Sequence, residues 1–390
     1  MAQFKPFEMR GIPVEDQFMS WNDMIKTPYD KNSVDAYTRT RIILMNGIEH
    51  NSILTSHCMD RVIDNNEIKR ALALVRRADS QHQHLVEWLN PANQSVIETT
   101  IGYEQVAVDL TANLAKNEPD GYFKQVLDFA LLEDFDHLFR YGCLMEVLEG
   151  RDPNSITQGK TEIKPGRPTV VEHRHPFEEM RMHYDKDKAS AKTKMNYFTI
   201  VSGEQQTMLY YMGHGSMVAD DMGRKLYAEI AEIEEEHVTQ YELIGDPRET
   251  PLEKMTLIQL HEAYNYFSCA QTEPDPRIKG IWEMLTEQEI QHFMVLNGLL
   301  QQFENRDIRD VLRTDVIEPL IVFEPNKEYI NEVLEKTLDL QPYNMQFVPD
   351  SQLPADWLTY GYREKVNTGG VPSELVVDRA KREAQVPSAM

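Results

Sequence analysis

Apolar residues recur three and four positions apart along two long stretches of the chain, which is the pattern of helices that bury one face. Breaks rich in Asn, Pro and Gly divide the first stretch into four predicted helices, at about 36–64, 67–89, 97–116 and 121–149. The second stretch divides in the same way, at about 197–214, 217–244, 252–272 and 276–304. Two successive runs of four helices predict an all-α protein with two tandem four-helix bundles.

The remaining segments lack this periodicity and are rich in polar, Pro and Gly residues. One further helix is predicted near 326–338. We therefore expect five parts: an irregular N-terminal segment at 1–35, a first bundle at 36–150, a linker at 151–196, a second bundle at 197–305 and an extended C-terminal tail at 306–390.

The two helical stretches repeat each other at an offset of 155 residues. The turn at 118–120, Glu-Pro-Asp, returns at 273–275, and Lys124 returns as Lys279. Acids and histidines recur in the same register: Glu49, Asp79, His82, Asp134 and His137 return as Glu204, Glu234, His237, Glu289 and His292. Helix breaks that recur together with these residues indicate an internal duplication.

Each copy contains two acid-x-x-His motifs and a further Glu between them, Glu104 or Glu262. Residues three apart share one face of a helix, so each motif offers an oxygen and a nitrogen to one point. Two such motifs with one Glu from each of two other helices are the set with which a bundle binds two metal ions. Mixed carboxylate and imidazole ligands suit iron or manganese, and the lack of thiolates argues against structural zinc. In the second copy the predicted ligands are Glu204, Glu234, His237, Glu262, Glu289 and His292.

The first copy departs from this pattern. Its motifs carry the shorter Asp79 and Asp134, and the position that aligns with Glu262 is Ala107, with Glu104 one turn earlier. Either a slip of three residues moved the ligand or the ligand was lost, so a second metal pair and a structural bundle with buried polar pairs are both open. The ligands of such a pair would be Glu49, Asp79, His82, Glu104, Asp134 and His137.

The segment LYAEIAEIEEEH at 226–237 resembles the second helix of rubrerythrins, and the ligand pattern of 197–305 resembles the ferritin-like di-iron superfamily. The resemblance implies a ferritin-like bundle that binds two iron ions, with manganese or a mixed pair as alternatives. It further implies an oxidoreductase that activates dioxygen or peroxide, as an oxidase, oxygenase or peroxidase. A small organic substrate is compatible with this, and electrons would come from a separate donor, because no Cys-x-x-Cys electron-transfer module is present. A ferroxidase that handles iron and a non-enzymatic duplicated scaffold are the alternatives.

The formal net charge of −24 argues against nucleic acid and anionic membranes as partners. No apolar run is long enough to predict a transmembrane helix or a signal peptide, and the three cysteines are far apart. We therefore expect a cytoplasmic protein. The tail could pack on its own body or on a second copy, so a homodimer is left open.

Two further groups of residues have alternative interpretations. Four tyrosines on the first and third helices of the second copy could face the metal pair as hydrogen-bond donors or radical sites, or could simply fill the core: Tyr210, Tyr211, Tyr264 and Tyr266. Five linker residues could bind a separate metal ion or belong to a flexible polar segment: Glu172, His173, His175, Glu178 and His183.

Overall fold

The structure, a computed structural model, describes residues 1–385 and is mostly helical. Its eight long helices are α1 (Ala36–Asp60), α2 (Asn66–Glu87), α3 (Val96–Asn117), α4 (Gly121–Glu149), α5 (Ala191–His214), α6 (Asp221–Glu242), α7 (Pro251–Thr272) and α8 (Pro276–Glu304). These correspond to the eight predicted helices, although α5 begins at Ala191 rather than near 197.

A side chain caps the N-terminus of every long helix by accepting a hydrogen bond from a backbone N–H of the first turn. The caps are Asp35, Asn65, Ser95, Asp120, Ser190, Asp220, Thr250 and Asp275. Their spacing obeys the same offset of 155 residues as the acids and histidines. The helix starts therefore follow the same offset as the acids and histidines.

The C-terminal region is more ordered than the predicted extended tail. It contains the helices α9 (Lys327–Thr337), α10 (Leu358–Val366) and α11 (Pro372–Gln385), with a hairpin of β1 (Leu340–Tyr343) and β2 (Gln346–Pro349). Three short helices lie elsewhere, at Trp21–Met24, Asn154–Thr157 and Ile308–Leu312. None of the helices within residues 1–385 is long and apolar enough to cross a membrane.

The eight long helices form two four-helix bundles that are nested in the chain. The consecutive helices α3, α4, α5 and α6 pack together, and we call them the central bundle. The helices α1 and α2 pack with α7 and α8, and we call these four the flanking bundle. The structure thus differs from the predicted tandem arrangement, because residues 36–150 and 197–305 each contribute two helices to each bundle.

The two bundles meet where α1 packs against α5. Asn46 Nδ2 donates to Gln206 Oε1 at 2.8 Å, and Asn51 Nδ2 donates to Ser202 Oγ at 3.0 Å. Since residue numbers rise along one helix as they fall along the other, the two helices are antiparallel. The helices approach closely at Gly47, where a Cβ atom would lie 2.6 Å from the Gln206 side chain.

The lengths of the connecting links explain the nested arrangement. Within one bundle of this type the second and third helices are parallel, so a link between them must return along the helix. The helix α2 has 22 residues, about 33 Å, and the nine residue steps from Glu87 to Val96 span at most about 32 Å. A full return along the helix would therefore need a fully extended link. In the nested arrangement α3 belongs to the other bundle, and its first turn lines a groove together with the end of α2. The link at 243–250 returns the chain to the flanking bundle in the same way.

The segments between and around the helices pack on the bundles. Residues 1–35 lie on the flanking bundle, where the Ile12 N–H donates to the Glu287 carbonyl at 3.2 Å. The predicted linker lies on the central bundle, where the Arg167 N–H donates to the Leu132 carbonyl at 3.0 Å. The helices α9 and α11 also pack on the central bundle. These segments can therefore place side chains behind the cores of both bundles.

Candidate metal centres

Six side chains meet in the core of the flanking bundle, and all six are fully buried. They are Glu49 of α1, Asp79 and His82 of α2, Glu262 of α7, and Glu289 and His292 of α8. Three come from residues 36–150 and three from residues 197–305. We call this group the flanking site.

A second group of six buried side chains meets in the core of the central bundle. They are Glu104 of α3, Asp134 and His137 of α4, Glu204 of α5, and Glu234 and His237 of α6. We call this group the central site. All twelve predicted ligand residues thus lie in these two groups, but the prediction that residues 36–150 and 197–305 each form their own site is wrong, because each site combines residues of both stretches.

In the flanking site, one donor atom from each of Glu49, Asp79, His82 and Glu289 lies within 4.8 Å of the other three. The carboxylate of Glu289 reaches both imidazoles, with Oε1 2.7 Å from His82 Nδ1 and Oε2 3.0 Å from His292 Nδ1. Asp79 Oδ1 lies 3.0 Å from His292 Nδ1. The two rings are nearly parallel, with centroids 5.6 Å apart.

The central site has the same layout. The carboxylate of Glu234 reaches both imidazoles, with Oε1 3.0 Å from His137 Nδ1 and Oε2 3.4 Å from His237 Nδ1. Asp134 Oδ1 lies 3.3 Å and Glu204 Oε2 lies 3.8 Å from His237 Nδ1. The two rings have centroids 5.8 Å apart. In both sites the longer Glu of one motif spans the two imidazoles, while the shorter Asp of the other motif approaches one of them.

Burial makes these carboxylate clusters unfavourable without compensating positive charge. Burial, together with Glu289, raises the pKa of Glu49 to about 8. Burial also acts to raise the pKa of Glu289, but His292 and His82 outweigh it and lower that pKa to about 2. Glu234 follows the same pattern in the central site, where His137 and His237 overcome burial and lower its pKa to about 2. A bound cation would supply the compensating charge.

Apart from the contacts between carboxylates and imidazoles given above, several donor atoms of both sites have no hydrogen-bond partner among residues 1–385. They are Glu49 Oε2, Asp79 Oδ1, Glu262 Oε1, Glu104 Oε2, Asp134 Oδ1, both Glu204 oxygens, Glu234 Oε2 and His237 Nδ1. Buried polar atoms are nearly always paired, so a group of unpaired ones needs an explanation. Carboxylate oxygens with imidazole nitrogens are a ligand set that suits iron or manganese, and the residues present therefore fit a metal pair in each site.

The structure brings Glu104, not Ala107, into the central site. A carboxylate oxygen of Glu104 clusters with His137 and Glu234, and the Tyr211 hydroxyl donates to Glu104 Oε1. The residue 155 positions after Glu104 is Gln259, which donates to Glu262 in the flanking site. The third-helix carboxylate thus sits one turn apart in the two copies, which agrees with the predicted slip of three residues.

Two of the four predicted tyrosines contact the sites. The hydroxyl of Tyr266 donates to Glu49 Oε1 at 2.6 Å, as Tyr211 does to Glu104. Tyr264 instead accepts a hydrogen bond from Lys192 Nζ at 2.8 Å, away from both sites. Tyr210 stacks on another tyrosine ring, and lies at the edge of a groove between the bundles.

Sequence reasoning missed a second layer of side chains that contacts the far nitrogens of three histidines. Gln17 Oε1 lies 2.7 Å from His292 Nε2, and Glu172 Oε2 lies 2.8 Å from His137 Nε2. Glu133 Oε2 lies 3.0 Å from His237 Nε2. Gln17 and Glu172 come from segments without helical periodicity. The one available signal was that Glu133 directly precedes a ligand in a buried helix.

The histidines of the predicted linker do not converge on a common point. His173 Nε2 lies 3.0 Å from Glu229 Oε1, and His183 Nδ1 lies 2.7 Å from the Tyr184 carbonyl. His175 caps the short 3-10 helix Pro176–Glu179. The candidate metal clusters found within residues 1–385 do not include these histidines. Their neighbour Glu172 is the residue of this segment that contacts a site.

Two grooves lie between the bundles at positions related by the duplication. The larger, of about 460 Å³, is lined by α1, α2, α3 and α5, with Asn46, Gln206 and Tyr210 among its lining residues. The smaller, of about 220 Å³, is lined by α1, α5, α6 and α7. The larger groove has more polar and aromatic lining residues, such as Tyr210 where the related position is Thr55.

No protein-family model, curated protein or solved structure was found to match the chain. The chemical interpretation of the two sites therefore depends on their own residues and geometry.

Proposed function

We propose that the protein is a ferritin-like di-iron oxidoreductase with two metal pairs, one in each bundle, which activates dioxygen or peroxide. Manganese or mixed pairs are the alternative contents. The observation that carries the proposal is the convergence, in each bundle, of four carboxylates and two imidazoles with unpaired donor atoms. Bound iron would supply the redox chemistry, and the protein would supply ligands, orientation and a dry surrounding.

The protein's own residues have distinct roles in this proposal. Glu289 and Glu234 each contact two imidazoles, so each would hold metal together with both histidines of its site. Hydrogen bonds from Tyr266 and Tyr211 hold the carboxylates of Glu49 and Glu104 in fixed orientations. The complete burial of the ligands excludes bulk water from both sites.

The larger groove supports the proposal of a small organic substrate. It lies between the two bundles and has Tyr210 in its wall, one residue along α5 from Tyr211, which donates to Glu104. Polar side chains in its lining, including Asn46 and Gln206, would orient a bound molecule. Electrons would be supplied by a separate donor protein.

The first test is the metal content of the full chain after anaerobic reconstitution with ferrous iron or manganese. We expect about four ions per chain, two for each site. Glu104→Gln should remove those of the central site alone. Glu118→Gln, at a buried carboxylate that contacts Thr193 and Asn196 instead of a site, is the matched control and should retain all of them.

Optical spectra then distinguish the functions. An iron-dependent absorption that is lost on reduction and returns in air supports the oxidoreductase. Repeated oxidation of added ferrous iron without an organic substrate supports a ferroxidase instead. If the chain binds neither iron nor manganese after reconstitution, both the oxidoreductase and the ferroxidase are refuted, and the non-enzymatic helical scaffold remains.

A further inference from the structure

The two sites contain the same ligands but differ in what lies behind their histidines. Each has three Glu, one Asp and two His side chains. In the central site both far nitrogens contact carboxylates, Glu172 behind His137 and Glu133 behind His237. In the flanking site, Gln17 contacts the far nitrogen of His292, and His82 Nε2 has no hydrogen-bond partner among residues 1–385. This outer layer can therefore make the two sites differ in metal binding.

The chemistry of these contacts is unequal. A carboxylate that accepts the Nε2 proton holds the ring in the tautomer whose Nδ1 can bind metal, and it also makes Nδ1 more basic. A carboxamide oxygen, as in Gln17, fixes the ring but brings no charge. The imidazole of His82, whose Nε2 has no partner within residues 1–385, is neither held nor polarised from behind.

The carboxylate of Glu133 is held rigidly in a buried ionic network. Arg174 contacts it through Nη1 at 2.6 Å and Nη2 at 2.9 Å, and Arg167 Nη1 lies 3.1 Å away. Arg174 is held in turn by Glu179 and Glu236. All of these groups are buried, and the two arginines keep Glu133 ionised by overcoming the effect of burial and lowering its pKa. The network fixes the His237 ring from behind.

Glu172 is in a simpler environment. It is fully buried, it contacts His137 through Oε2, and its other oxygen has no hydrogen-bond partner within residues 1–385. The backbone that carries it is anchored nearby, where Asp136 accepts hydrogen bonds from the N–H groups of Gly166 and Thr169 at 3.0 Å. A conservative change at Glu172 therefore alters the charge behind His137 without breaking the ionic network.

We infer that Glu172 and Glu133 are positioning residues that make the central site the tighter of the two metal sites, while the flanking site, backed by Gln17 alone, binds the same divalent ions more weakly. This inference rests on the proposed function, since it requires that both sites bind metal. It adds that Glu133 of α4 and the segment at 151–190, which carries Glu172, Arg167 and Arg174, together set the difference between them.

The test is a calorimetric titration of the metal-free full chain with Mn²⁺ alone, with free Mn²⁺ followed by its electron paramagnetic resonance signal. We expect two classes of sites in the original chain. Glu172→Gln, which keeps the size and an acceptor oxygen but removes the charge, should weaken the tight class by about 10- to 100-fold and leave the weak class unchanged. Glu178→Gln in the same segment is the matched control and should change neither class.

The reciprocal variant, Gln17→Glu, places a carboxylate behind His292 and should tighten the weak class. It also keeps the inference testable if Glu172→Gln does not fold. One class of equal affinities in the original chain, no change in the tight class on Glu172→Gln, or no tightening on Gln17→Glu would each overturn the inference while leaving the metal sites in place. No Mn²⁺ or ferrous iron bound by the original chain would refute the proposed function itself.

Discussion

Two double variants with identical chemistry can show which residues share a site. Glu49 and Glu289 both belong to the flanking site, whereas Glu204 belongs to the central site. We therefore expect Glu49→Gln/Glu289→Gln to damage one site and Glu204→Gln/Glu289→Gln to damage both. In a tandem arrangement the assignment would be reversed, because Glu204 and Glu289 come from the same copy.

The expected magnitudes follow from the ligand sets. The first variant removes two of the four carboxylates of the flanking site, including the one that reaches both imidazoles, so the chain should fall from about four ions to about two. The second variant removes one carboxylate from each site, including Glu204, whose two oxygens both lack a protein partner. It should retain almost no ions. Both variants lose the contacts of Glu289 with His82 and His292, so that structural cost is common to the pair.

The assay is elemental analysis after reconstitution with ferrous iron and desalting, with the helix content measured by circular dichroism for both variants. If the helix content of the two variants is equal, a difference in their metal content shows which ligands share a site and does not reflect a difference in folding. If Glu49→Gln/Glu289→Gln is empty and Glu204→Gln/Glu289→Gln retains two ions, the nested pairing of the helices is refuted.

Three further outcomes are expected. Glu49→Gln should stabilise the metal-free protein by roughly 3 kcal/mol at pH 7, because folding raises the pKa of Glu49 from 4.5 to about 8 and the folded state loses stability as the pH rises between these values. The stabilisation, measured by urea unfolding, should be larger at pH 8 than at pH 5. Equal effects at the two pH values would contradict this reasoning. Tyr266→Phe should weaken metal binding at the flanking site by about 10- to 100-fold, and Tyr211→Phe should weaken it at the central site, because each variant removes a hydrogen bond to a charged ligand. If a Mn²⁺ titration shows that both variants weaken the same class of metal sites, the assignment of the two tyrosines to different sites is wrong. Ser202→Ala should lower the free energy of unfolding, measured in urea, by about 1–3 kcal/mol, because it leaves the Asn51 amide unpaired. The metal content should not change. A loss of metal would show that the interface between the bundles controls the sites.

Helical periodicity and motif spacing were sufficient to predict the long helices and the twelve candidate ligands. A three-residue spacing determines that Asp79 and His82 share a helix face, whichever helix lies opposite. It does not determine the partner, because the same faces are buried whether α2 packs on α4 or on α8. The length of the link at 88–95 favours the nested pairing, because a return along the bundle would need this link to be fully extended.

The outer layer could not be predicted for a different reason. Gln17 and Glu172 lie in segments whose backbone follows turns and 3-10 helices, where spacing along the sequence carries no information about direction. Arg167 and Arg174 are fully buried although they lie in a stretch rich in Pro, Gly and charge, a composition typical of exposed linkers. Both arginines can be buried because each pairs with the buried carboxylate of Glu133.

The nested pairing also changes how the departures of the first copy are to be interpreted. That copy has Asp in both of its motifs, at Asp79 and Asp134, and the second copy has Glu in both, at Glu234 and Glu289. Two tandem sites would have been unequal, one with two short side chains and one with two long ones. Because each bundle combines both copies, each site instead receives one Glu that reaches two imidazoles and one Asp that approaches a single imidazole. The shorter residues are therefore compatible with two complete sites, and they place the difference between the sites in the side chains behind the histidines.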